Sequence, residues 1–137
     1  MIFIDTTFFV GAIDEDDNRH SESAQLIYKI IKEGKINAAT TDYVINESVS
    51  ILNNRRKVTF TKIRNIVIDI LNSQKIEVMF IDETLLREAL EIYEQYKGDL
   101  SLTDSTSVLI MKKYHINEIY SHDSDFDRVD GIKRKVS

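Results

Sequence analysis

The chain has 137 residues, with 23 Asp and Glu against 18 Lys and Arg for a formal net charge of −5, and at this length one domain is the default. Hydrophobic residues make up 42% and charged residues 30%, enough apolar side chain for a core and too mixed a charge for a disordered tail. The absence of Cys excludes disulfide scaffolds, zinc ribbons and thiol nucleophiles, the absence of Pro excludes Pro-rich linkers, and the acidic balance argues against binding nucleic acid through bulk positive charge.

At the start, Ile2-Phe3-Ile4 is a β-branched and aromatic run ended by Asp5-Thr6-Thr7, which suits a buried strand feeding a helix cap. No basic segment precedes it as in an export signal, and no window approaches the roughly 20 apolar residues of a membrane span, so a soluble cytoplasmic domain is expected. Apolar residues at Ala24, Leu26-Ile27 and Ile30-Ile31 place the first helix near 21–33, closed by Gly34. A short strand is expected over Ile36 to Ala39. Thr40-Thr41-Asp42 then offers N-caps for a helix carrying Val44, Val49, Ile51 and Leu52 and stopping near Asn53-Asn54.

Phe60, Ile63, Ile66-Val67 and Ile70-Leu71 line one face of a third helix, and Ile76 to Ile81 reads as a strand. Asp82 or Thr84 starts the next helix, which runs up to Gly98, and Ser101 caps another through Val108-Leu109-Ile110-Met111. Ile119 to His122 is the last clear strand, the acidic loop 123–127 follows, and the tail near Ile132 offers a marginal strand. Strands alternating with helices predict a single α/β domain over 1–137, a three-layer α/β/α arrangement around a mainly parallel sheet of four to five strands.

In an open parallel sheet the ligand site lies beyond the carboxyl ends of the strands. Four acids are expected there: Asp5 after the first strand, Glu47 in the helix after the second, Asp104 at a helix start and Asp123 after the fourth strand. Each has a structural explanation. Asp5 can cap a helix, Ser101-x-x-Asp104 matches a capping box, Glu47 can be a solvated helix residue, and Asp123 can order a turn. As a group they are harder to dismiss, because converging carboxylates raise one another's pKa unless a positive charge sits between them. A divalent cation supplies that charge, and an all-oxygen donor set suits Mg²⁺ or Mn²⁺ rather than zinc. Such a cluster suits phosphodiester hydrolysis. Thr6 and Thr103 stand beside two of the acids and are expected to orient them through hydrogen bonds.

The ordered segments Ile2-Phe3-Ile4-Asp5-Thr6-Thr7, Ile45-Asn46-Glu47-Ser48, Leu100-Ser101-Leu102-Thr103-Asp104-Ser105 and Ser121-His122-Asp123-Ser124-Asp125-Phe126 resemble the PIN-domain ribonucleases, and among them the VapC-type toxins of prokaryotic toxin–antitoxin pairs. The resemblance covers nearly the whole chain. It implies that Asp5, Glu47, Asp104 and Asp123 bind one or two Mg²⁺ or Mn²⁺ ions, with Asp125 as an extra ligand or water holder. It also implies hydrolysis of single-stranded RNA to 5′-phosphate and 3′-hydroxyl ends, a homodimer, and silencing by a cognate antitoxin. A PIN-like RNA-processing or scaffold module is the alternative. A receiver or aspartate-nucleophile phosphatase fits less well, since position 7 is Thr where the phosphatase wants Asp and a receiver leaves Glu47 and Asp104 without a role.

His20, His115 and His122 are read as structural, and Tyr28, Tyr93, Tyr96 and Tyr114 as core or interface rather than base-stacking platforms. Arg55-Arg56-Lys57 follows the helix of Glu47, and Arg55 or Arg56 is the expected RNA contact. One bound divalent ion would take the formal charge from −5 to −3, so much of the acid excess is the expected site itself. The RNA target is not encoded in these motifs.

Overall fold

Ile2–Ile4 forms β1, the central strand of a five-stranded sheet ordered β3-β2-β1-β4-β5, in a computed structural model that describes residues 1–137. Its neighbours are β2 (Ala38–Thr41) and β4 (Glu118–Tyr120), flanked by β3 (Ile76–Met79) and β5 (Lys133–Lys135), and every pairing is parallel. Helices α1 (Thr6–Ile13), α2 (His20–Ile31), α3 (Asp42–Leu52), α4 (Phe60–Asn72), α5 (Glu83–Gln95) and α6 (Leu102–Lys113) complete the three-layer α/β/α arrangement. No helix is long and apolar enough to cross a membrane.

The largest difference from expectation is α1. Thr6, Phe8, Phe9, Val10, Gly11 and Ile13 are all buried, so this helix has no polar face and carries no amphipathic period to detect. The first helix of the chain is therefore at 6–13, and the segment expected near 21–33 is the second. β2 lies two residues later than the Ile36-to-Ala39 expectation: Ala38, Ala39, Thr40 and Thr41 are fully buried in a central strand, and the Thr40 hydroxyl donates to the Ile4 carbonyl at 3.0 Å. β4 ends at Tyr120, short of the expected His122, and Ser121 follows it with its hydroxyl donating to Asp5. The marginal tail strand is real, with Lys133 paired to Glu118 and Lys135 to Tyr120.

Caps set the helix starts. Thr41, Thr59, Asp82 and Ser101 each accept a backbone N–H with the side chain, from Val44, Lys62, Leu85 and Asp104. Phe3, Ile4, Phe8, Ile30, Val44, Leu52, Ile110, Met111, Ile119 and Phe126 form the fully buried centre of the core. Phe126 comes from the acidic loop, which folds as a 3₁₀ turn over Ser124–Arg128 and is anchored by that ring. Of Tyr28, Tyr93, Tyr96 and Tyr114, Tyr96 alone packs on the core and the other three are exposed.

Gly11 sets the distance between α1 and α2. A Cβ there would stand 2.6 Å from Ser23 Oγ and 3.1 Å from Ser23 Cβ. Replacing a helical Gly by Ala normally gains about 0.5–1 kcal/mol, but overpacking a closed core costs about 1–3 kcal/mol. Gly11→Ala is expected to lower the urea midpoint, and Gly11→Ala with Ser23→Ala to recover part of the loss; an unchanged midpoint for Gly11→Ala would show that this contact does not set the helix spacing.

Candidate metal centre

The sheet order brings β1, β2 and β4 side by side, so the residues following these three strands share one edge. Asp5 follows β1 and is 2% exposed. It stands at the N-cap of α1 yet makes no capping bond with its side chain, so the capping explanation does not hold for it. Its Oδ2 instead accepts the Ser121 hydroxyl at 2.7 Å and the Thr7 hydroxyl at 3.2 Å. Its Oδ1 is buried without a hydrogen-bond partner.

Asp104 occupies the first turn of α6. The Ser101 hydroxyl accepts the Asp104 backbone N–H at 3.0 Å, but the Asp104 carboxylate makes no return bond, so only half of the capping box forms and the carboxylate remains available. Asp123 orders its own turn, its Oδ1 accepting the Asp125 N–H at 2.9 Å, while its N–H donates to Ser121 Oγ at 3.0 Å. Glu47 is half-buried on α3 and takes no ion pair or hydrogen bond. Asp125 Oδ1 lies 3.5 Å from Arg128 Nε, so that side chain is turned to a cation of its own.

The four acids act on one another. Burial is the main force raising the Asp5 carboxyl to about 6; the Ser121 hydrogen bond opposes it and Glu47 reinforces it. Burial likewise raises Asp104 to about 7, followed by the charges of Asp5, Asp123 and Glu47. No three of these groups stand at the spacing of a formed metal-ligand cluster. The quartet is an electrostatic cluster lacking a positive charge rather than a closed cage. A hard divalent cation fits it on two observations: every donor is a carboxylate oxygen, and the buried Oδ1 of Asp5 has no protein partner.

The side chains that orient the acids are not the two expected. Thr6 Oγ1 is buried without a partner, and Thr103 lends its carbonyl to the hydroxyls of Thr106 and Ser107. Thr7 and Ser121 take that role instead. Ser121 Oγ donates to Asp5 and accepts from the N–H of Asp123, and Thr7 Oγ1 donates to Asp5 and accepts the N–H of His122 at 2.8 Å. Both lie in segments that the family resemblance rests on, but only the fold reveals which hydroxyl meets which acid. Ser121→Ala is expected to weaken Mn²⁺ binding about 10–100-fold by calorimetry, the usual cost of losing a hydrogen bond behind a metal ligand; unchanged affinity would remove Ser121 from the site.

Two of the three histidines are held by contacts within the fold, and His115 is exposed. The His122 ring stacks on Phe8 at 4.3 Å and shares a hydrogen bond between Nε2 and Ser23 Oγ, while His20 Nδ1 meets the Gly11 carbonyl at 2.8 Å. Of the basic triplet, Arg55 pairs with Asp14 at 3.2 Å and Asp17 at 3.5 Å, and Lys57 with Asp16 at 3.4 Å. Arg56 is exposed and has no ion pair.

A family model for the PIN domain matches residues 2–132. Comparison with curated proteins gives no match. Among solved structures, VapC20 of Mycobacterium tuberculosis, a toxin that cleaves the sarcin–ricin loop, superposes with a TM-score of 0.77 at 26% identity over 93% of both chains. A toxin–antitoxin complex from Klebsiella pneumoniae matches at TM-score 0.64 and 12% identity over 97% of this chain and 96% of that one. VapBC2 of Rickettsia felis, bound to a fragment of promoter DNA, matches at TM-score 0.64 and 14% identity over 98% of both. The last two likenesses are likenesses of fold.

Proposed function

We propose that this chain, which belongs to the PIN-domain family, is a divalent-metal-dependent endoribonuclease and the toxin of a toxin–antitoxin pair. The observation that carries the reading is the convergence of Asp5, Glu47, Asp104 and Asp123, whose mutual repulsion is felt at Asp104. The likeness to a sarcin–ricin-loop-cleaving toxin supports single-stranded or structured RNA as substrate. The likeness to structures solved with antitoxins supports a protein inhibitor as partner. Homodimer formation and a cytoplasmic location accompany this reading.

Asp5, Glu47, Asp104 and Asp123 would hold one or two Mg²⁺ or Mn²⁺ ions, with Asp125 held back by Arg128. When bound, the cation lowers the pKa of water and neutralises charge on the scissile phosphate. Hydrolysis adds water oxygen to phosphorus and breaks the P–O3′ bond, leaving a 5′-phosphate and a 3′-hydroxyl that takes up the proton. Ser121 and Thr7 hold Asp5 Oδ2, so that Oδ1 is the oxygen left to face a ligand. Asp104 and Asp5, with raised proton affinities, must lose their protons to serve as ligands, so cleavage is expected to rise with pH through about 6–7.

Purified protein incubated with RNA and Mn²⁺ or Mg²⁺ is expected to release 5′-phosphorylated fragments, and chelator to stop it. Cleavage that continues in chelator, or no cleavage of any RNA, would overturn the assignment.

A further inference from the structure

Beside the quartet lies a cleft of about 470 Å³, a size typical of ligand sites, walled by the α1–α2 loop on one side and the end of α3 on the other. It adjoins the acidic site without being lined by any of the four acids: its lining includes Thr7, the hydroxyl that holds Asp5, and His122, the neighbour of Asp123. Ile51 extends the lining one turn beyond Glu47 on α3, and Arg55 adds to it from just past the end of that helix. Val10 and Ile51 give it an apolar floor.

The charges on its walls are largely spent on each other. Asp14 and Asp17 hold Arg55, and Asp16 holds Lys57. Arg19 is the exception. It is exposed, has no carboxylate within ion-pair distance, and touches the protein through one 3.3 Å hydrogen bond from Nη1 to the His122 carbonyl. That bond leans the guanidinium toward the loop carrying Asp123 and leaves its other N–H donors free. A free guanidinium in a cleft that adjoins the acidic site through Thr7 and His122 is badly matched to a neutral ligand, and well matched to a phosphate.

Resting on the ribonuclease reading, we infer that this cleft seats the RNA nucleotide adjoining the scissile phosphodiester, with its base or ribose on Val10 and Ile51 and its phosphate on Arg19. Arg19 is thus the phosphate contact that Arg55, committed to Asp14 and Asp17, does not supply. Arg55 shapes the wall.

The test uses the full chain with fluorescein-labelled RNA of mixed sequence, both unstructured and hairpin. Steady-state cleavage with Mn²⁺ is compared for wild type, Arg19→Ala, Arg19→Lys and the exposed control Arg64→Ala on α4. Binding is measured by anisotropy across a salt series in an Asp104→Asn background, where cleavage does not erode the probe. Arg19→Ala is expected to raise KM several-fold with kcat held, and to flatten the plot of log affinity against log salt by about 1, with Arg19→Lys keeping most of that slope. Arg19→Ala that matches Arg64→Ala in KM and in slope overturns the inference and leaves the ribonuclease reading standing. A wild type that binds RNA but does not cleave it strikes the ribonuclease reading, and the slope comparison still decides Arg19. No RNA binding at all defeats both.

Discussion

Asp5→Asn and Asp104→Asn are each expected to reduce the initial rate of Mn²⁺-dependent RNA cleavage by at least about 10³-fold, because each removes a negative oxygen from the site proposed to hold a cation against developing charge. The structure ranks the acids. Asp5 is buried, pinned by two hydroxyls at Oδ2, and presents an Oδ1 with no other partner. Asp104 is 7% exposed and feels all three of the others. Glu47→Gln and Asp123→Asn should follow, while Asp125→Asn should change the rate least, since that carboxylate is turned toward Arg128. Initial rates on one RNA, with circular dichroism to show that each variant folds, check the order. An Asp5→Asn protein that cleaves at the wild-type rate would place the chemistry elsewhere.

Asp104→Asn is also expected to stabilise the metal-free protein at pH 7.5 while abolishing its gain in stability on adding Mn²⁺. In the unfolded chain Asp5 and Asp104 titrate near the ordinary 3.8, whereas in the folded protein they titrate at about 6 and about 7. Between those values the folded state binds more protons than the unfolded state, so stability falls as pH rises from about 4 to about 7 and is level above that. The displacement at Asp5 corresponds to a cost of about 3 kcal/mol at neutral pH, with a similar cost at Asp104 that is not independent of it. Removing one charge should therefore raise the metal-free melting temperature by on the order of 5–10 °C. The difference between wild type and variant should close as pH falls below 3.8, where the wild-type carboxyl becomes protonated in both states. A lower metal-free melting temperature for Asp104→Asn at pH 7.5 would mean that the carboxylate supports the fold.

How much of this was legible beforehand varies by element, for identifiable reasons. Helices α3, α4, α5 and α6 carry caps at Thr41, Thr59, Asp82 and Ser101, and α2 to α5 carry apolar faces, so they could be placed within a few residues. Helix α1 could not, because burial on all sides erases the period on which such reading depends. The acids could be singled out by their position after strands, without which Asp123 is one of several acids in a polar loop. Their orienting hydroxyls could not. Thr6 and Thr7 are adjacent and alike, and the helical turn at Asp5 decides which of them bonds it. The commitment of Arg55 was equally hidden, since Asp14 lies 41 positions away.

The bond between Ser121 and Asp5 joins positions 116 apart in the chain. During synthesis at roughly 5–20 residues per second, Asp5 leaves the ribosome on the order of ten seconds before its partner exists. Through that interval β1 lacks β4, its parallel neighbour on one side. A chain stopped before residue 104 lacks Asp104, Asp123 and the Ser121 hydroxyl that holds Asp5, so on the reading proposed above it would carry no complete site.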